Sequence, residues 1–216
     1  MDVTQDTARN HITALAEAGV VFQDQCTPEF LVGLVPDPGI GAFSHYSPQA
    51  AQRQLAALAR VTALSHSRVL VAHSGQRLVA YLTFHPAERD SRWASLSSGQ
   101  ILELGGIEVA RDFRGRGLAR QLMHRAFAPP DFDATIVYAQ ALTWCWDLEG
   151  SGLSLADYRA MMLRLFHASG FEPLATDEPN IRYDRANLLL VRVGPAVSPT
   201  LRREFHATLI QNSGEW

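Results

Sequence analysis

Cysteine is almost absent from this chain. Cys26 and Cys145 stand alone and far apart, so neither a disulfide framework nor a zinc-ligand spacing can be written, and a reducing compartment fits best. Long apolar runs are missing too, and none approaches the ~20 residues that span a bilayer. The first residues, MDVTQDTARNHITALAEAG, are polar and carry acids, unlike a signal or transit peptide. A cytoplasmic protein without membrane partners is the expectation. Neither sign of charge is in excess: 19 Lys and Arg against 22 Asp and Glu leave a net charge of −3, which argues against a general nucleic-acid partner. The eight histidines are scattered, with no H-x-x-x-H pair beside a carboxylate, so no metal is expected. No phosphate-binding G-x-x-x-x-G-K-[ST] and no G-x-S-x-G hydrolase elbow occurs.

What is present is an ordinary globular composition, 47% apolar and 19% charged over 216 residues, long enough for one self-sufficient core. VVFQDQC (20–26) reads as a strand, and Thr27-Pro28-Glu29 as a capped helix start. VPDPGIGAF reads as a Pro/Gly loop. Ser47-Pro48 opens a helix with Ala51, Leu55 and Leu58 on one stripe. RVLVAH and RLVAYLTFH flank Ser74-Gly75-Gln76 as a hairpin, and PAERDSRWASLSSGQ is a longer polar loop. Ile101 to Val109 is apolar on both faces, as a strand buried from both sides would be. A helix follows Gly117, with Leu118, Leu122 and Ala126 in line, and then a strand at Thr135–Ala141. That order predicts a right-handed parallel crossover. Ser154 caps a helix with Tyr158, Met161, Met162 and Leu165 facing inward, ended by Gly170. FEPLAT and NLLLVRV are closing strands, and Ser198-Pro199 begins a last amphipathic helix. The expectation is a single α/β (α+β) domain over 1–216, with an N-terminal helical extension (about 1–18) and a C-terminal helix (about 198–211).

The stretch that carries chemistry is LELGGIEVARDFRGRGLARQLM. A two-sided strand gives way to an arginine-glycine turn and then a helix. Amides at a helix start point forward, unpaired, at the positive end of the helix dipole. Gly115 and Gly117 remove side chains where an anion would approach, and Arg114 and Arg116 add positive charge. Position 120 is Arg rather than the third glycine of a dinucleotide fingerprint, and the next strand ends in YAQA without a ribose-binding acid. A pyrophosphate site is the reading that remains.

The R-x-x-G-x-[GA] pattern after a buried strand resembles motif A of the GNAT superfamily of N-acetyltransferases. The resemblance implies a mixed central sheet with a splayed strand pair and helices on both faces. It implies acetyl-CoA as co-substrate, its pyrophosphate held by Arg114, Gly115, Arg116, Gly117, Leu118 and Ala119. The pantetheine arm would pair with backbone near Ile107 and Val109. Over most of the chain, the pieces YLTF, LELGGIEVARDFRG, WCWDLEGSGLSLADYRAMM and ATDEPNIRYDRANLLLVRVG resemble the bacterial acetoin-utilisation protein acetyltransferases. That closer resemblance implies a protein substrate, an acyl-CoA synthetase, switched off by acetylation of a lysine.

Acetyl transfer to a lysine requires loss of a proton from a group of pKa about 10.4, a donor for the oxyanion and a leaving thiolate. Glu103 and Glu108 lie in the apolar strand, where burial raises a carboxylate's basicity. The spacing of Glu103 before Arg114 is similar to that of the general base in the histone-acetylating branch of the superfamily, which puts the base at Glu103 with Glu108 in reserve. Strand alternation sends Glu108 to the other face unless Gly105-Gly106 forms a bulge. The Ile107 N–H is the candidate oxyanion donor. Many relatives carry a tyrosine as general acid four residues before the helix-ending glycine; here it is Phe166, and solvent or Tyr138 is left for that task. Trp144, Trp146 and Asp147 follow the next strand and are candidates for holding a peptide and its ammonium. A small-amine acetyltransferase and a non-catalytic acetyl-CoA sensor stay open as rivals.

Overall fold

Caps and apolar stripes start most elements where the sequence places them. The computed structural model describes residues 19–41, 47, 49–96 and 99–211; the extension expected at about 1–18 lies outside them, as does Pro48. Strand β1 is Val20–Gln23 and helix α1 is Pro28–Val32, where the Thr27 hydroxyl accepts the Phe30 N–H at 3.3 Å. Helix α2 (Ala50–Val61) begins after Gln49, whose N–H is taken by the Ser47 hydroxyl. Gly75, at φ +55°, turns β3 (Arg68–Ser74) into β4 (Arg77–Pro86). Strand β5 (Ile101–Val109), helix α3 (Leu118–Phe127) and strand β6 (Ile136–Ala141) make the expected parallel unit.

The chain continues through α4 (Leu148–Ser151), α5 (Leu155–His167), β7 (Glu172–Leu174), α6 (Pro179–Arg182), β8 (Leu188–Val193) and α7 (Pro199–Ala207). Ser154 caps α5 by accepting the Asp157 N–H, while its own hydroxyl donates to the Asp157 carboxylate at 2.6 Å. Ser198 caps α7 in the same way on Leu201. That last helix stops at Ala207, short of the 211 expected, because the Thr208 hydroxyl turns back onto the Phe205 carbonyl.

The sheet is mixed, with seven of its eight described strands in the order β1-β3-β4-β5-β6-β8-β7. The eighth, β2 (Val35–Pro36), pairs parallel with Arg77–Leu78 of β4. It sits inside the stretch read as a Pro/Gly loop. Two residues are too few to show alternation, and a proline argues against a strand. Here the proline is harmless: Val35 and Asp37 donate to the Gln76 and Leu78 carbonyls, and the intervening position needs no donor.

Two compact units make up the chain, and β4 and β5 each contribute to both. In the first (1–83 and 106–126) the stripe Ala51, Leu55 and Leu58 of α2 meets Leu31 of α1 and Val69, Val71 and Tyr81 of the strands. The second (84–105 and 127–216) has its core around Trp93, Ile101, Ile136, Tyr138, Leu189, Val191 and Phe205. In this second unit α5 corrects the inward face expected of it. Tyr158, Met161, Met162 and Leu165 are only half-buried, and the anchor is Phe166, edge-on to Phe171, which in turn meets Phe127.

The long loop after β4 is largely structural. Trp93 is buried against Tyr138, ring centroids 4.2 Å apart, and stacks beside Phe205. Its neighbour Arg92 pairs with Asp177 and donates to the Thr208 and Leu209 carbonyls, tying down the end of the chain. The hydrogen bond from Arg92 holds the Asp177 carboxyl below its usual range. A depressed acid stabilises the fold above its unfolded pKa, and that contribution is lost as pH falls through the lowered folded value. Arg92→Ala should therefore lower the thermal midpoint at neutral pH, and the difference from wild type should shrink on acidification below the carboxylate range. Thermal unfolding followed across pH measures both.

Candidate active site

The two acids of β5 have different surroundings, Glu103 in the second unit and Glu108 in the first. A Cβ on Gly105 would collide with the His85 imidazole, while one on Gly106 would come within 3.2 Å of the Tyr81 ring. Both glycines thus make room for side chains of β4.

Glu108 is held by its surroundings in the first unit. Its carboxylate accepts the Gly41 N–H and, at 3.3 Å, the Tyr81 hydroxyl. These bonds fix the segment leading out of β2 against β5.

Glu103 has a different setting, in the second unit. The parallel ladder joins Ile101–Glu103 to Ile136–Tyr138, with Glu103 directly beside Tyr138, whose hydroxyl donates to the Glu103 Oε2 at 2.9 Å. Burial raises the Glu103 carboxyl above the usual carboxylate range; His85, Tyr138 and Gln140 each pull it partly back, and Glu88 pushes it up. The result is a more basic carboxylate, as a proton acceptor needs. Burial and the neighbouring Glu103 charge drive the Tyr138 phenol upward. Its proton is committed to Glu103, so Tyr138 orients the acid and is a poor proton donor to a leaving group. Phe166, at the position expected to hold a tyrosine, is buried among aromatic rings and offers no proton either.

Around Glu103 stand residues that sequence reasoning passed over. His85 is the last residue but one of β4, and its Nδ1 lies 2.8 Å from the Pro86 carbonyl. A carbonyl only accepts, so the proton of the neutral ring is on Nδ1 and Nε2 keeps a lone pair. Gln140, two residues beyond Tyr138 and on the same side of β6, helps stabilise the Glu103 charge, yet its Oε1 is buried without a donor. The alternation of YLTFH and of TIVYAQA carries both positions, but nothing in one sequence pairs those strands with Glu103.

The arginine-glycine turn belongs to the first unit. Gly115 and Gly117 have φ of +74° and +76°, the left-handed region that other residues avoid. The two turns of backbone they allow bring the chain from a short 3-10 segment (Arg111–Phe113) to the first residue of α3, Leu118. The amides of Leu118, Ala119 and Arg120 then have no intrahelical acceptor. Arg114 donates from Nε to the Val109 carbonyl at 3.1 Å, and Arg116 donates to the Asp112 carbonyl at 2.9 Å with its guanidinium over the Phe113 ring. Both arginines brace the turn, and the Val109 carbonyl is occupied. Ile107, the candidate oxyanion donor, is half-buried.

The three residues after β6 separate. Trp146 is buried and stacks on Tyr158 at 5.1 Å. Trp144 is exposed and meets the still more exposed Tyr183 edge-on. Asp147 caps α4 by accepting the Gly150 N–H at 2.9 Å. Among the described residues no group of His, Cys, Asp and Glu is gathered as a metal site, and no helix is long and apolar enough to cross a membrane.

Known proteins resemble this chain over most of its length. The Acetyltransferase (GNAT) family matches residues 37–128, a span that holds both acids of β5 and the whole turn. The Acetoin utilization protein AcuA of Bacillus licheniformis is 33% identical over 147 residues, 68% of this chain and 70% of that protein. The protein of the same name from Bacillus subtilis is 30% identical over 190 residues, 88% of each. A crystal structure of an acetoin utilization protein from Exiguobacterium sibiricum superposes with a TM-score of 0.83 at 32% identity, covering 88% of both chains.

Proposed function

Because this chain is a GNAT acetyltransferase belonging with the acetoin utilization proteins AcuA, we propose that it acts as a single-domain protein lysine N-acetyltransferase. Its co-substrate is acetyl-CoA, the usual acetyl donor of the family, and its target is an acyl-CoA synthetase, acetyl-CoA synthetase above all. The observation that carries the chemistry is Glu103: a basic, half-buried carboxylate oriented by Tyr138, on the strand that leads to the glycine turn. Glu108 is the weaker candidate, because its Oε2 already accepts from Gly41 and Tyr81.

The turn fits a diphosphate. Two left-handed glycines aim the first amides of α3 outward, with Arg114, Gly115, Arg116, Gly117, Leu118 and Ala119 supplying donors and charge. The coenzyme brings the acetyl thioester; the chain's own residues do the rest. Glu103 takes the ammonium proton, leaving a neutral amine to attack. The Ile107 N–H is the donor for the oxyanion. The thiolate leaves without a side-chain acid, which a thiol of pKa about 8.5 tolerates. Trp144, with Tyr183 beside it, is the exposed aromatic surface for a protein substrate; Trp146 supports that segment from within and Asp147 caps the helix that follows.

The test is direct. Incubation with acetyl-CoA and a folded acetyl-CoA synthetase, followed by mass spectrometry, should find an acetyl-lysine on the synthetase that is missing when the enzyme is omitted, together with loss of synthetase activity. Acetylation of polyamines or free amino acids in preference to the synthetase would replace this reading with a small-amine acetyltransferase. Inhibition without modification would replace it with a sensor.

A further inference from the structure

We propose that His85 is the proton relay of this site, carrying to solvent the proton that Glu103 removes from the substrate amine. The inference rests on the reading of Glu103 as base. It starts from a difficulty that reading creates: a carboxyl tucked beside Tyr138, at the margin of a core that contains Trp93, has to lose each proton it collects.

The way out lies along one side of β5. Gly105, next on the Glu103 side, is exposed, and the space its side chain would fill is taken by the His85 imidazole. The bond between Nδ1 and the Pro86 carbonyl fixes the tautomer and leaves Nε2 as the acceptor, the atom that lies over Gly105. The ring interacts electrostatically with the Glu103 carboxylate and favours its charged form. The other groups in this neighbourhood are Glu88, on the loop that follows β4, and the Tyr138 phenol. Glu88 adds negative charge beside both Glu103 and Tyr138. Nothing but glycine at 105 lets the ring occupy this position.

The steps balance. The substrate nitrogen gives one proton to Glu103, and its lone pair forms the N–C bond to the thioester carbonyl carbon. The C–S bond breaks and sulfur leaves with the electron pair. The nitrogen's second proton ends on the thiolate. The Glu103 carboxyl passes its proton to His85 Nε2, restoring the carboxylate, and the imidazolium releases it to water.

The experiment measures turnover of His85→Gln at fixed pH as imidazole buffer is raised, with coenzyme A titrated calorimetrically as a check on the fold. The relay predicts normal coenzyme binding, turnover reduced about tenfold to a hundredfold at low buffer, and recovery as buffer increases; wild type shows no buffer dependence. Gly105→Ala is the second variant, since its methyl displaces the ring while every titratable group stays in the chain, and the same buffer dependence is expected. Turnover equal to wild type in both variants overturns the relay, as does a loss that no buffer restores, which marks a packing role. The base reading fails separately: it falls if Glu103→Gln turns over normally, whatever His85 does.

Discussion

Glu103→Gln is expected to lower kcat by a factor of about 10² to 10⁴, the range that a positioned acid or base supplies, while leaving coenzyme A binding unchanged. The substitution keeps the shape of the side chain, and the amide oxygen can still accept the Tyr138 hydroxyl. What it removes is the negative charge and the basicity. Since burial is the largest influence on this carboxyl and acts against ionisation, the ionised group costs the fold stability at neutral pH. A group whose folded pKa is raised destabilises above its unfolded value and ceases to do so as pH falls. The variant should therefore be as stable as wild type or more so near pH 7, which separates loss of chemistry from loss of structure. In wild type, kcat/KM should rise with pH as the carboxyl loses its proton, with its midpoint above the ordinary carboxylate range. The variant should lack that limb. Steady-state rates across pH and thermal unfolding of the same samples measure both, and unchanged turnover would remove Glu103 from the mechanism.

Much of this site was legible in the sequence because its signals are local. A two-sided strand, two glycines and an amphipathic helix are each visible within a few residues, and β5, α3 and β6 fall at the places they indicate. Capping chemistry is equally local, hence the starts of α1, α5 and α7. What stayed hidden depends on which strands lie side by side. Read alone, Gly105-Gly106 mark only a place where a bulge could form; beside β4 they are also clearances for His85 and Tyr81. His85 counted as one of several scattered histidines, and its significance comes from the strand next to it. Phe166 stood out as a missing tyrosine, while its role as the aromatic anchor of α5 needed Phe171 and Phe127 in view. Arg114 and Arg116 show the same limit: their charge is evident from sequence, and their use as braces of the turn is not.

The glycine turn supports the second large effect. Gly117→Val should weaken coenzyme A binding about tenfold to a hundredfold, because a β-branched residue at φ +76° adds about 1–3 kcal/mol of backbone strain. The turn can relieve that strain only by rotating the amides that follow it. The same change puts a branched side chain where the diphosphate would rest. Strain and obstruction can be told apart at Gly115, which has nearly the same φ, +74°, and nothing within 4 Å of an added Cβ. Gly115→Ala reports the cost of a side chain in left-handed backbone where there is no neighbour to strike. If the turn grips the diphosphate, Gly117→Val should lose more affinity than Gly115→Ala, and the excess should vanish for a pantetheine fragment that lacks the diphosphate. Calorimetric titration of both ligands into both variants measures this, with thermal unfolding to establish that each is folded. Normal coenzyme A affinity in Gly117→Val would mean that the anion binds elsewhere and that the two glycines serve only to bend the chain from β5 into α3.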